Sequence, residues 1–155
     1  PLAELPPEVQ ELRDSPERRI FDAQSMLREV VPDLSDEQCE AEGADPAVVR
    51  QGVIEVREIA ADLDIGTLEV QSIRQRAGLL RETPVDPIVQ RESAVEALNR
   101  EFGNGAYQAW QDARALVARD PRVGKVIETM GLGDDAETIV MLAKKARSQR
   151  AAGKL

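Results

Sequence analysis

Asp45-Pro46-Ala47-Val48-Val49-Arg50-Gln51-Gly52-Val53-Ile54-Glu55-Val56-Arg57-Glu58-Ile59-Ala60-Ala61-Asp62-Leu63 is the stretch of this 155-residue chain that decides its fold class. A carboxylate that can accept from the free amides of a first helical turn stands directly before a proline, which loses no intrahelical bond at that position. Val49, Val53, Val56, Ala60 and Leu63 then recur at steps of three and four, which lays them along one stripe of a helix. The same punctuation returns at Ser15-Pro16, Asp86-Pro87 and Asp120-Pro121. Ile20, Ala23, Leu27 and Val30 follow the first. Ile88, Val95, Leu98 and Phe102 follow the second, and Val123, Val126, Ile127 and Met130 the third.

Three more helices have other starts. Thr67 is placed to cap Val70, Ile73, Ala77 and Leu80. Gly103-Asn104-Gly105 breaks the chain before Ala106, Trp110, Ala113 and Val117. Asp134-Asp135 precedes Ala136, Ile139, Val140, Ala143 and Ala146. A weaker turn falls near Glu8–Arg13. No alternation of period two persists long enough for a strand. The spacing therefore predicts an all-α chain, a bundle of about seven short helices, compact or elongated.

Composition removes much chemistry. There is no histidine, hence no His general base, no Ser-His or Cys-His nucleophile pair and no His-bearing zinc site. The single cysteine excludes an internal disulfide. Cys39 sits in the acidic, surface-like run Asp36-Glu37-Gln38-Cys39-Glu40, where neighbouring carboxylates disfavour its thiolate. Asp62/Asp64 and Asp134-Asp135 lack the glycine-centred calcium-loop pattern and read as caps and solvated faces. Gly131-Leu132-Gly133 is followed by Asp134, which repels phosphate, so it reads as a helix end. The expectation is a chain with no catalytic, cofactor or metal site that is not an enzyme. No apolar run approaches the ~20 residues of a membrane helix, so a soluble protein made in a cytoplasm, without a membrane partner, is expected.

Charge is segregated. The net charge is −9, which disfavours a broad nucleic-acid clamp, and DNA is not expected as the main partner. Residues 1–45 carry 4 basic and 13 acidic side chains, whereas 136–155 carry 5 basic and one acidic. Three regions follow: an acidic amino-terminal segment (1–44), a helical core (45–135), and a basic terminal helix with a frayed tail (136–155). Aromatic residues make up 3% of the chain. Phe102, Tyr107 and Trp110 flank the Gly103–Gly105 break, either as a packing corner or as a partner-docking patch.

One motif invites a nucleic-acid reading. Residues 57–76 resemble the helix-turn-helix of DNA-binding regulators: small Ala60, Leu63 and Ile65 around a turn, Val70 and Ile73 facing back, and Arg74, Gln75 and Arg76 available to a groove. Asp64 stands where glycine is usual, and Glu69 lies where phosphates would approach. A plain helical hairpin gives the same spacing.

The carboxyl-terminal part carries the second resemblance. Leu98-Asn99-Arg100-Glu101-Phe102-Gly103, Ala109-Trp110-Gln111-Asp112-Ala113-Arg114-Ala115-Leu116, Asp120-Pro121-Arg122-Val123 and Gly131-Leu132-Gly133-Asp134, with a closing basic helix, resemble helical tailed-bacteriophage head-assembly and virion accessory proteins of the scaffold-like kind. The likeness spans roughly residues 95–155. Phe102 stands where tryptophan is usual and Asp134 where asparagine is common. The resemblance implies a non-enzymatic, oligomeric structural or assembly protein of a phage particle or its precursor, without a cofactor, docking on a coat, portal or adaptor protein. Lys144, Lys145, Arg147, Arg150 and Lys154 would carry that contact, with Ile139, Val140 and Leu142 as its apolar face.

Overall fold

The computed structural model describes Gln24 and residues 27–155. Among them are seven α-helices, one 3-10 turn and no strand. The helices are α1 (Asp36–Ala41), α2 (Pro46–Asp62), α3 (Thr67–Glu82), α4 (Pro87–Phe102), α5 (Ala106–Ala118), α6 (Pro121–Thr129) and α7 (Ala136–Ala151), with the 3-10 turn Gly103–Gly105 between α4 and α5. The chain is all-α. It forms two compact units that divide between Val70 and Gln71, within α3 and inside the stretch 45–135. The expected features at Glu8–Arg13, Ser15-Pro16, Ile20 and Ala23 lie outside the described residues.

Capping explains where the helices begin. The carboxylates of Asp45, Asp86 and Asp120 accept from the N–H groups of Ala47, Ile88 and Arg122 at 2.9, 2.8 and 3.0 Å, each with proline in the first turn. Asp135 caps α7 through Thr138. Thr67 is the first helical residue of α3 rather than its cap, and the Glu69 carboxylate accepts from the Gly66 N–H instead. Gly131, at φ 71°, ends α6 as the sequence suggests. The N–H groups of Gly131 and Leu132 turn back to the carbonyls of Glu128 and Ile127, a closure that needs a left-handed residue.

In the first unit, Leu27, Val30, Ala60 and Val70 form a small core, with Val31 and Ile65 packed against it. Arg57 is buried beside it. Its guanidinium donates to the Val31 carbonyl, to Gln24 Oε1 and to Asp33 Oδ1, the last at 2.9 Å. A buried charge is tolerable only when saturated in this way. The surface reading of Cys39 is corrected: Cys39 is 1% exposed. The Ser35–Gln38 capping box starts α1 and turns that one side chain inward.

The second unit is built around α7, which packs against both α4 and α5, while α6 packs on α5. Leu116, Ala143 and Ala146 have no exposed surface, and Ala94, Leu98, Ala109 and Ala113 are also buried. Small residues on facing helices let the backbones approach closely, so a chain poor in aromatics still closes its core.

Candidate functional site

The basic terminal helix is the first place to look. Its apolar side is largely turned inward: Ile139 and Leu142 are buried and Val140 is half-buried. The spacing that marked an apolar face is the face α7 turns to α4 and α5, so Ile139 and Leu142 belong mainly to the core, and what they still expose lies in the walls of the depressions described below. Three of its cations are engaged at home. Lys144 Nζ lies 3.1 Å from Glu101, Arg150 Nη2 donates to the buried Asp112 carboxylate at 2.7 Å, and Arg147 sits over the Phe102 ring, 5.5 Å from its centroid. The tail is closed rather than frayed. Gly153 and Lys154 donate back to Arg150 and Gln149, and the Lys154 carbonyl accepts from Arg119. Lys144, Lys145, Arg147, Arg150 and Lys154 thus edge the unit, with Lys145 half-buried.

The regulator-like segment turns where the sequence placed its corner. The N–H groups of Asp64 and Ile65 return to the carbonyls of Ala61 and Ala60, with Asp64 at φ 59° in the left-handed region where glycine was missed. Arg76, however, is half-buried and held by carboxylates of its own chain. It donates to Asp135 at 2.6 Å, with Glu137 nearby at 3.6 Å. Burial works against the charge on Asp135, yet bonds from Arg76 and Thr138 outweigh it and hold its carboxyl below the ordinary range. A phosphate would have to compete with that carboxylate for Arg76.

The aromatic cluster at the α4–α5 corner separates into two roles. Phe102 is half-buried beneath Arg147, a packing role. Tyr107 is 73% exposed, and Trp110 is half-buried in the wall of a groove of about 400 Å³. Ala94, Val95, Leu98, Ala106 and Ile139 supply most of the remaining lining, with Arg91, Asn99 and Asp134 at its edge. Arg91 Nε meets Asp134 at 3.2 Å. Ile88 and Val95 stand exposed on α4. A second depression of about 290 Å³ lies on the other side of Trp110, toward α6. The sequence pointed to Tyr107 and Trp110 but did not single out Ile88 and Val95, because both simply continue the apolar stripe of α4.

Among the described residues no group of three or more His, Cys, Asp or Glu side chains could hold a metal ion, and no helix is long and apolar enough to cross a membrane. Comparison of the chain with protein-family models, with curated proteins and with solved structures returned no match.

Proposed function

We propose that this protein works without catalysis, as a structural or assembly component of a tailed-phage particle, and that its contact surface is the α4–α5 face rather than the inner side of the terminal helix. The observation that carries the choice of surface is the exposure of Ile88, Val95 and Tyr107 around a groove walled by Trp110. Exposed apolar patches of a few hundred Å² with aromatic anchors mark contact sites on soluble proteins. The phage setting comes from the resemblance over residues 95–155. The basic edge of α7 contributes at the rim, where charges steer association more than they hold it.

Mass spectrometry of purified particles and of assembly intermediates tests this reading. The protein is expected in one or both, and Tyr107→Glu is expected to deplete it at least tenfold while leaving its helical circular dichroism unchanged. Its absence from both, or full incorporation of the variant, overturns the reading.

A further inference from the structure

We propose that Asn104 is a site of spontaneous covalent modification, where the Gly105 backbone nitrogen displaces ammonia from the Asn104 side chain and leaves an aspartyl or isoaspartyl residue at the α4–α5 corner. The inference stands apart from what the α4–α5 face contacts. The chain has two asparagines, Asn99 and Asn104. Both are exposed, but their backbones differ. Asn99 lies inside α4, its carbonyl accepts from the Gly103 N–H, and Arg100 follows it. Asn104 is the middle residue of the 3-10 turn Gly103–Gly105, with glycine on either side.

The step needs the Gly105 nitrogen to reach Asn104 Cγ, so the backbone of Asn104 must rotate away from its helical ψ. Inside α4 the same rotation at Asn99 would break the hydrogen-bond ladder on both sides. A single 3-10 turn has poorer hydrogen-bond geometry and little to lose by opening. Its glycines supply the freedom: Gly103 already sits at φ 54°, and a β-carbon at Gly103 or Gly105 would meet nothing within 4 Å. Gly105 also presents its nitrogen with no side chain in the way. Among the described residues no hydrogen bond ties the Asn104 amide down.

Solvent water is the only co-reactant. The Gly105 nitrogen gives up its proton and bonds to Cγ, the Cγ–Nδ2 bond breaks, and Nδ2 leaves as ammonia, which closes a succinimide ring. Water then opens the ring. Cleavage of the new N–Cγ bond gives aspartate at position 104. Cleavage of the original peptide C–N bond gives isoaspartate, whose main chain runs through the side-chain methylene. No atom is oxidised or reduced. Either product adds one negative charge to a chain already at −9. That charge falls just ahead of α5, whose amino terminus has no side-chain cap. Helix amino termini favour negative charge, so the fold does not oppose the aspartyl product. Isoaspartate lengthens the link between α4 and α5, three residues ahead of the exposed Tyr107.

Timed incubation of the full chain at neutral and mildly alkaline pH, followed by mass analysis of its tryptic peptides against a zero-time sample, is the test. Cleavage after Arg100 puts the two asparagines on separate peptides. The Asn104 peptide is expected to gain one mass unit roughly tenfold faster than the Asn99 peptide, and faster at the higher pH. It is expected to separate into two products of equal mass. One of them is expected to accept a methyl group from S-adenosylmethionine through an isoaspartyl methyltransferase. Gly105→Ala, at φ −85° and with open space for its β-carbon, is expected to keep the helical circular dichroism and to slow the conversion about tenfold. Equal rates at the two asparagines, absence of the methyl-accepting product, or an unchanged rate in Gly105→Ala each overturns the inference.

Discussion

Asp64 is the one residue other than glycine with a positive φ among the described residues. It does at the end of α2 what Gly43, Gly131 and Gly153 do after α1, α6 and α7. A β-carbon in the left-handed region costs about 1 kcal/mol, somewhat less for aspartate. Asp64→Gly is therefore expected to stabilise the protein by a few tenths to about 1 kcal/mol in urea denaturation. A loss of stability would show that the side chain's own interactions outweigh the backbone strain. Asp135 gives a pH-dependent case. Its carboxyl is held low in the fold, so its stabilising contribution is complete above the ordinary carboxylate value and is lost as pH falls through the depressed one. Asp135→Asn is expected to cost about 1–3 kcal/mol at pH 7, where Arg76 loses its charged partner. The gap to the native protein should narrow steadily as pH falls toward 3. A gap independent of pH would contradict the assignment.

At the scale of elements, the residues that start helices were more legible than the faces those helices bury. Asp45, Asp86 and Asp120 announce α2, α4 and α6 because capping and proline act within one turn, where sequence and structure share the same short-range physics. Burial is decided by distant partners. Val95 and Ile139 both fit an apolar stripe, yet Ile139 meets the core and Val95 meets solvent, because α5 and α7 occupy one side of α4 only. The capping box of α1 was readable in Ser35 and Gln38, but the acidic residues around them disguised a helix with one buried side chain. Gly78 shows what an element can gain. It lies inside α3, and a β-carbon there would meet nothing within 4 Å. Gly78→Ala is expected to raise stability by about 0.5–1 kcal/mol through helix propensity alone, measured as an upward shift in the thermal midpoint.

For the whole molecule, charge distinguishes the possible modes of contact. The net −9 and the internal commitment of Arg76 to Asp135 weigh against a phosphate-binding surface. In a gel-shift titration with duplex DNA at low salt, no complex is expected below micromolar protein. A salt-sensitive complex weakened by Arg74→Ala would instead favour the regulator reading. A contact through the α4–α5 face should persist in about 0.5 M NaCl, where screening acts within ~4–5 Å. A grip made by the cations of α7 should not. Measuring incorporation into particles at both ionic strengths separates the two. The all-α architecture and the aromatic corner were visible in the sequence. The inward turn of the apolar side of α7 was not, because a stripe of Ile139, Leu142, Ala143 and Ala146 looks the same whether its partner is inside the molecule or outside it.

Trp110 is the chain's single tryptophan, and it lines both of the depressions described above. Indole emission therefore has one source, free of overlapping signals. An occupant of either hollow changes the polarity around that ring, so the wavelength of its fluorescence maximum serves as a label-free gauge of whether the surface is covered.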